Sequence, residues 1–589
     1  MAEMEQIPRG EHPRPQFYRE DWVNLNGTWT FALDAGKSGL SRKLQESRGL
    51  DGRIVVPFSP ESVLSGVAHV DFIECMWYQR MIAVPGPWSG RRVLLHFGAV
   101  DYECEVFVDG TRAGAHCGGS SSFTIDITPL VRPGSSHSLV VHVRDEQRSG
   151  RQTCGKQCSD YYSRGCSYTR TTGIWQTVWM EAASPQGLRD CRITPDLDGG
   201  RFIVEPRFLS AARGLTFRVA VSDGASVVAS AEVPACDGRP CDVRLSRPQS
   251  WSPASPFLYE LTLDVLDSAG AVVDSVRSYA GLRKVHVEGG QILLNNEPIY
   301  LRLVLDQGFY PDGIWTAPDD DVLRRDIELS MVAGFNGARL HQKVFEERFH
   351  YWADKLGYLT WGESASWGMA MWQPGSVETQ AQSGWNFLSE WREVIQRDRN
   401  HPSIIAWTPF NETRGNAGSP QHARLHLDAY DLTGSLDPTR PVNDSSGYIH
   451  YRTDLYTVHN YEQDPAKLVE ALTPTAKAGV FRNFPEFDAP REGQPYLVDE
   501  FGGIKWIPEG RRPYSKTSWG YGQEPKTIEE FYARLEGMVR GLASLEHVTG
   551  WCYTQLTDVE QEQNGIYNYD RTPKFDMARI AKIFRGRGE

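Results

Sequence analysis

Two glutamates stand where apolar runs of the sequence end. The run Ile404–Phe410 stops at Asn411 and Glu412, and the run Pro495–Asp499 stops at Glu500. Two neighbouring carboxyl groups can divide acid and base work, because burial and a nearby negative charge raise the pKa of one of them. Cleavage of a glycosidic bond uses such a pair, one group protonating the leaving oxygen while the other attacks or activates water. The glutamates therefore predict glycoside chemistry if the fold brings them within roughly 5–5.5 Å of each other.

A single glutamate at the end of a strand more often caps a helix or pairs with an arginine than takes part in catalysis. Here there are two such residues, and Glu412 directly follows an asparagine, which favours a catalytic pair. The sequence has no glycine-rich phosphate loop, no Gly-x-Ser-x-Gly elbow and no His-Glu-x-x-His motif. The commonest nucleotide, serine-esterase and zinc-protease chemistries are thereby excluded.

The elements that must position these glutamates alternate between strand and helix. Val322, Leu323, Ile327 and Met331 share a helical face, and Asp319–Asp321 provide its N-terminal cap. Helical segments and short apolar runs then repeat over about 300 residues, which is the length and pattern of a (β/α)8 TIM barrel.

The position of the glutamates in this barrel supports an active site. Counted from Ile299, Glu412 follows the fourth strand and Glu500 ends the seventh. Polar residues at the C-terminal ends of barrel strands face the active site, and these two strands lie across the mouth from each other. We therefore expect the two carboxylates to converge on one bound sugar.

The chain as a whole is predicted to have three domains. Residues 1–183 show short alternating runs, and Glu105–Gly110 ends in the Asp-Gly turn of a β-hairpin, so this domain is an all-β sandwich. Residues 184–283 continue with short strands separated by prolines, as in an immunoglobulin-like sandwich. Residues 284–589 form the predicted barrel.

The net charge and the hydropathy of the chain limit the classes of partner that it can bind. The net charge of −13 excludes nucleic acid and an anionic membrane surface as partners, since both attract positive proteins. No apolar stretch is long enough to span a bilayer, and the polar segment Met1–Phe17 contains no apolar stretch of signal-peptide type. These features predict a cytoplasmic protein.

The ten cysteines are predicted to be free thiols in a reducing compartment. Cys154, Cys158 and Cys166 cluster in one loop, where a small disulfide or a metal site is the alternative.

Several motifs give the chain a family resemblance over nearly its whole length. They are Asn26–Trp29, Trp77–Arg80, Gly334–Arg339 and Arg399–Ile404, the last leading into Asn411-Glu412. In combination they resemble glycoside hydrolase family 2, the family of bacterial β-galactosidases, β-glucuronidases and β-mannosidases. The resemblance implies that the first domain is a sugar-binding-like jelly roll.

The resemblance also implies residue roles. Glu412 would be the general acid/base, Glu500 the nucleophile that forms a covalent glycosyl-enzyme, and Asn411 the partner of the sugar 2-hydroxyl. The remaining predicted substrate-binding residues are Asp306 and His341, for sugar hydroxyls, His459, on the sixth strand, Tyr461, close to Glu500, and Trp551, stacked on the sugar. Trp315, Trp367 and Trp372 either line the entrance or pack against neighbouring domains. No cofactor or metal is implied, and assembly as a homo-oligomer is open by analogy with relatives.

Departures from the family pattern affect the substrate. The β-glucuronidases carry an Asn-x-Lys motif that binds the sugar carboxylate, whereas the segment Glu560–Ile566 has no lysine. The first expectation is therefore a retaining exo-β-glycosidase of the β-galactoside type. The alternatives are a β-uronidase, for glucuronic or galacturonic acid, in which Lys343 or Lys505 replaces the missing cation, and a catalytically inactive carbohydrate-binding homologue. The sequence does not decide between hydrolysis and transfer to other acceptors.

Overall fold

A computed structural model describes residues 7–511 and 517–586. The first residues of the polar segment Met1–Phe17 lie outside this range. The chain forms two β-sandwich regions followed by a barrel, which confirms the predicted fold class. None of the described helices combines the length and the apolar character needed to cross a membrane.

The first sandwich packs two antiparallel sheets around an apolar core that includes Trp29, Tyr78 and Trp88. The larger sheet contains, in spatial order, Gly52–Val56, Gly27–Leu33, Cys75–Ala83, Ser136–Arg144, Glu103–Val108 and Thr111–Cys117. The smaller sheet contains Trp22–Asn24, Val178–Ala183, Arg92–Phe97 and Phe123–Asp126, and Val100–Asp101 pairs with Gly173–Ile174.

The second sandwich is smaller, and its core includes Phe202, Phe217 and Leu263. One sheet contains Leu188–Asp196, Arg201–Phe208 and Cys241–Arg244. The other contains Ser226–Pro234, Thr216–Asp223, Tyr259–Leu266 and Val272–Ala280, and Trp251–Ser252 pairs with Ser255–Pro256. Three further strands, Val285–Glu288, Gln291–Leu294 and Glu297–Pro298, form a separate sheet whose Val285, Ile292 and Leu294 pack on the barrel interior.

Seven parallel strands form the barrel sheet. In chain order they are Leu301–Asp306, Gly337–Leu340, Leu359–Glu363, Ile404–Thr408, Tyr456–Asn460, Tyr496–Gly502 and Val548–Thr554. The helices around them are α1 (Asp320–Val332), α2 (Glu347–Leu356), α3 (Val377–Asp398), α4 (Pro420–Leu436), α5 (Pro465–Leu472), α6 (Ile528–Ala543) and α7 (Met577–Arg585). The predicted cap of α1 is present, since the Asp319 side chain accepts a hydrogen bond from Val322 N at 2.9 Å.

The fifth position of the barrel is occupied by the irregular segment 441–446 instead of a regular strand. Trp407 N donates to Pro441 O, and Asn443 N donates to Trp407 O, so the segment follows the edge of the fourth strand. On its other side the Thr457 hydroxyl donates to Ser445 O at 3.2 Å. The strands on either side therefore keep the places that the sequence predicted for the fourth and sixth.

Candidate active site

Glu412 lies just past the fourth barrel strand, in backbone that is fixed by the irregular segment. Ser446 N donates to Phe410 O at 2.8 Å, and Glu412 N donates to Ser446 O at 3.1 Å. Glu412 has a φ of 51°, in the left-handed region that non-glycine residues rarely adopt. These two backbone bonds hold that conformation and direct its carboxylate into the barrel mouth.

Glu500 lies on the seventh strand, in register with His459 on the sixth. His459 Nδ1 is 2.8 Å from Glu412 Oε1 and 3.4 Å from Glu500 Oε2. One oxygen of each glutamate and this imidazole nitrogen all lie within 4.8 Å of one another. The structure thus brings the carboxylates of Glu412 and Glu500 together around one imidazole nitrogen.

Arg339, on the second strand, is fully buried and connects the groups around the glutamates. Its guanidinium donates to Glu500 Oε1, to Glu363 Oε2 at 2.9 Å and to Asn411 Oδ1 at 3.0 Å. A hydroxyl, that of Ser446, also accepts from it. These charge-assisted hydrogen bonds fix the guanidinium, which in turn holds one oxygen of Glu500 in place.

Asn411 is fixed with its amide nitrogen free. Its Oδ1 accepts the hydrogen bond from Arg339, while its buried Nδ2 has no partner among the described residues. A buried donor without an acceptor is costly, so a ligand that supplies an acceptor here is favoured. This geometry fits the predicted contact with a sugar 2-hydroxyl.

Tyr461 contacts the nucleophile directly. Its hydroxyl donates to Glu500 Oε2 at 2.5 Å and lies 3.0 Å from the Thr554 hydroxyl. Its ring stacks on Tyr521, with 3.4 Å between ring centroids and 2° between planes. The stacking fixes the ring, so the phenol holds one oxygen of Glu500 in place.

His459 carries a positive charge between the acids. Burial alone would lower the pKa of His459, but the charges of Glu500 and Asp499 raise it to about 10. Burial raises the pKa of Glu412, yet the hydrogen bond and charge of His459 leave it below its ordinary value. The resting pair is therefore an imidazolium and a carboxylate that share one proton across 2.8 Å.

Glu412, His459 and Glu500 are also spaced as ligands of a metal ion would be. An imidazole must be unprotonated to bind a metal. The raised pKa of His459 and the contact of its Nε2 with Ser446, at 3.0 Å, favour an ion-paired imidazolium over a ligand.

His341, just after the second strand, lies beside Glu363 and Trp367. Its Nδ1 lies 3.0 Å from Glu363 Oε1, and its ring is perpendicular to that of Trp367, 6.5 Å between centroids. Burial and the neighbouring positive charges of Lys156 and Arg339 hold the pKa of His341 well below its usual range. A neutral imidazole therefore lines the site.

The predicted stacking role of Trp551 is wrong. Successive side chains of a strand point to opposite faces, and Trp551 lies on the outer face of the eighth strand. Its indole is 1% exposed and packs against Phe335, Phe501 and Phe584 between the sheet and α7. Thr554 is the residue of this strand that reaches Tyr461 in the mouth.

Asp306 also points outward, so its predicted contact with sugar hydroxyls is wrong. Its Oδ1 accepts from Gly308 N at 2.9 Å. Burial, together with the charge of Asp326 on α1, raises the pKa of Asp306 to about 6. The next residue, Gln307, is directed to the mouth instead, and its amide donates to Tyr168 and Gln555 at 2.7 and 2.6 Å.

Neither lysine predicted as a replacement cation is available. Lys343 donates to the carbonyl oxygens of Gly308 and Trp315, at 2.6 and 2.7 Å, and burial lowers its pKa to about 7. Lys505 donates to Ser518 O at 3.2 Å and lies 3.5 Å from Glu524.

The three loop tryptophans, which were expected to line the entrance or to pack against other domains, differ in their contacts. Trp367 donates from Nε1 to Asn411 O at 3.0 Å and borders the mouth. Trp372 donates to Ser366 O, six residues earlier in the same loop, and packs against Phe410 with ring centroids 5.1 Å apart. Trp315 is buried against Trp175 of the first domain, with ring centroids 5.1 Å apart.

Sequence reasoning missed a loop of the first domain that reaches the barrel. Cys154 N donates to Trp367 O at 2.7 Å, and the Tyr168 hydroxyl donates to Glu562. The cluster of cysteines in this loop was the signal that the sequence offered for it. All ten cysteines of the chain are free thiols in the structure. We call residues 150–168 the docking loop.

Comparisons with known proteins agree with this architecture. Models of three domains of glycosyl hydrolases family 2 match: the sugar binding domain at 67–180, the domain described by the family name alone at 188–283, and the TIM barrel domain at 285–585.

Similar proteins of known name fall into two groups. A β-glucuronidase of Paenibacillus borealis is 24% identical over 94% of both chains, and one of Canis lupus familiaris is 25% identical over 96% of this chain and 90% of its own. A β-galactosidase of Photobacterium profundum is 28% identical, but over 47% of this chain and 28% of its own. The solved β-glucuronidase of Ruminococcus gnavus with D-glucuronic acid superposes with a TM-score of 0.78 at 20% identity, covering 98% of this chain and all of that one.

Proposed function

The chain belongs to glycosyl hydrolase family 2 and is a glycoside hydrolase, and on this basis we propose that it removes a terminal β-linked uronic acid with retention of configuration. The observation that carries the proposal is the pair Glu412 and Glu500, whose nearest oxygens lie within 4.8 Å on either side of one imidazole nitrogen. Enzymes that invert leave about 6.5–9.5 Å between the two carboxyl groups to admit water. The shorter separation supports a covalent intermediate.

The substrate part of the proposal rests on the relatives. Two similar proteins that align with 94% and 96% of the chain are named β-glucuronidase. The β-galactosidase of Photobacterium profundum aligns with 47% of the chain, and another β-galactosidase aligns with 86% of it at 23% identity. These relatives favour a uronide over the β-galactoside that the sequence suggested first. Glucuronic and galacturonic acid differ at C4, and both remain within the proposal.

In the first step Glu500 attacks the anomeric carbon. Its carboxylate is held by Arg339 and Tyr461, and the bond to the leaving oxygen breaks as the ester bond forms. Glu412 gives the leaving oxygen a proton, which the adjacent imidazolium of His459 can supply because the two groups share it. The Nδ2 of Asn411 donates to the 2-hydroxyl as positive charge develops on the ring.

In the second step water releases the sugar. Glu412 is now ionised and takes a proton from water, whose oxygen attacks the anomeric carbon and displaces Glu500. Ester formation has removed the charge of Glu500, the strongest of the charges that raise the pKa of His459. Until Glu500 is released, the imidazole of His459 is therefore a weaker base towards the proton on Glu412. Once Glu500 is free and charged again, the proton returns to His459 and the site regains its resting charges.

A panel of p-nitrophenyl β-glycosides tests the proposal, with proton NMR to identify the anomer formed first. We expect turnover of the glucuronide or galacturonide above that of the galactoside, glucoside and mannoside, and a β-anomer as the first product. A first product of α-configuration would overturn the mechanism. Turnover of neutral glycosides alone would overturn the substrate, and no turnover of any of them would favour the inactive carbohydrate-binding homologue.

A further inference from the structure

One positive charge at the mouth of the barrel comes from the first domain. Lys156 lies on the docking loop and is 7% exposed, with its ammonium 5.3 Å from the centroid of the Trp367 ring. Burial lowers the pKa of Lys156, but Cys166 and the carboxylates of Glu562, Glu500 and Glu412 raise it above its ordinary value. The charge of Lys156 in turn lowers the pKa of His341, after the larger effect of burial. The side chain therefore extends among the residues of the candidate active site.

The backbone of the docking loop fixes this lysine in position. Gly155 N donates to Ala365 O at 3.0 Å, and a Cβ on Gly155 would lie 2.2 Å from Gln342 O. On the other side of the loop, Trp519 Nε1 and Gln561 Nε2 both donate to Gly165 O. The loop is thus joined to the barrel at both ends, and only glycine permits its closest approach beside Lys156.

Lys156 differs from every other buried cation in the described chain. Its ammonium donates no hydrogen bond and has no acidic oxygen within 4 Å among these residues. The other buried lysines and arginines each have a carbonyl or carboxylate partner, and this set is Arg9, Arg19, Arg170, Arg283, Arg339, Lys343, Arg399, Arg440, Arg571 and Lys574. The N–H donors of Lys156 are therefore free for an anionic ligand, which a lysine binds through charge-assisted hydrogen bonds.

We propose that Lys156 binds the carboxylate of the uronic acid and so supplies the cation missing from the segment Glu560–Ile566. The proposal rests on the proposed function. A uronide differs from its parent glycoside in the charged group at C6, which a lysine contacts by a charge-assisted hydrogen bond. Lys156 remains beyond 4 Å of both catalytic carboxylates, so it is free for this group while they flank the anomeric carbon.

The other cations at the mouth are already engaged. Arg339 is bonded to Glu500 and Glu363, and His459 to Glu412. The alternative role for Lys156 is to shift the pKa values of the catalytic acids by its charge. In that case replacing Lys156 would lower kcat/KM equally for substrates with and without a carboxylate.

The test compares Lys156→Met with Lys505→Met as a matched control. The measured quantity is kcat/KM for the p-nitrophenyl uronide and for the neutral glycoside of the same configuration. A hydrogen bond between charged groups contributes about 1.5–3 kcal/mol, so Lys156→Met should lower the uronide value by about 10- to 150-fold. The neutral substrate should change by less than about threefold, and Lys505→Met should leave both values near wild type.

Further variants and outcomes separate the possible failures. Lys156→Arg should keep most of the preference for the uronide, and thermal unfolding should show that both variants are folded. An equal loss on both substrates, or no loss on the uronide, would overturn the role of Lys156 while leaving the proposed function intact. Wild-type protein that turns over neutral glycosides but no uronide would overturn the proposed function, and the inference with it.

Discussion

Nδ1 of His459 lies 2.8 Å from Oε1 of Glu412. The pKa of His459 is raised to about 10 and that of Glu412 is lowered, so the proton of this contact rests mainly on the imidazole. The proposed general acid is therefore the pair, and not the glutamate alone. The stability of the fold should depend on pH through the same contact.

Replacing His459 by Gln should remove one part of the pH dependence of stability. A group whose folded pKa is raised from 6.5 to about 10 stabilises the fold fully below pH 6.5, and this contribution is lost as the pH rises towards 10. The unfolding temperature of wild type should exceed that of the variant most near pH 6, and the gap should close towards pH 10. His286→Gln, beside the exposed Glu288, is the control. A gap that widens with pH would contradict the assignment of the charge.

Replacing Glu500 by Gly should abolish hydrolysis, with a loss of roughly 10,000-fold or more. The cavity left by the side chain should admit azide or formate, which attacks in its place and restores part of the turnover with an α-linked product. Glu470→Gly, on the exposed face of α5, controls for loss of a glutamate. Rescue by no small anion would count against Glu500 as the nucleophile.

Replacing Glu412 by Gln should make turnover depend on the leaving group. For alkyl glycosides kcat/KM should fall by about 100- to 10,000-fold, because an alkoxide leaving group needs a proton. For a 2,4-dinitrophenyl glycoside the first step should survive, so a burst of dinitrophenol should precede slow release of the sugar. The control is Glu470→Gln. Equal losses for both kinds of leaving group would argue against acid catalysis by Glu412.

Replacing Asn411 by Ala tests the buried amide that lacks a partner. With a normal substrate kcat/KM should fall roughly 100-fold, since the bond to the 2-hydroxyl strengthens in the transition state. With a 2-deoxy substrate the same substitution should have almost no further effect, because the hydroxyl is already gone. If the substitution lowered kcat/KM by the same factor with the normal and the 2-deoxy substrate, Asn411 would not act through this hydroxyl.

Replacing Trp551 by Ala tests its outward position. Loss of an indole packed against Phe335 and Phe584 should lower the free energy of unfolding by about 3–5 kcal/mol. The KM of the folded variant should remain near that of wild type. Trp367→Ala, at the mouth, should have the opposite pattern, with KM raised and stability changed less. A raised KM for the Trp551 variant in a folded protein would restore its role in stacking.

The order of the barrel strands and the place of the two glutamates could be predicted because each glutamate interrupts an apolar run. The faces of Trp551 and Asp306 could not, because moving one residue along a strand reverses the side to which a side chain points. The irregular segment at the fifth position of the barrel could not be predicted from the sequence either. This segment, 441–446, is rich in buried polar residues, and these form long-range contacts such as the hydrogen bond from Ser446 to Asp499 at 2.6 Å.

The groups that connect the catalytic residues were harder to predict for another reason. Arg339 belonged to a recognised motif, but its partners Glu363, Asn411 and Glu500 come from three other strands. Lys156 comes from a different domain altogether. Sequence patterns report the neighbours of a residue along the chain, whereas these contacts depend on how distant segments are packed.

The docking loop brings side chains of the first domain to the mouth of the barrel. Because the loop carries Lys156 and Tyr168 to the mouth, the barrel is not a self-sufficient module. In a chimera that joined this barrel to the jelly roll of a relative, the docking loop beside the active site would come from that relative. Selectivity can therefore diverge through changes in the sandwich while the strands that hold the glutamates stay the same.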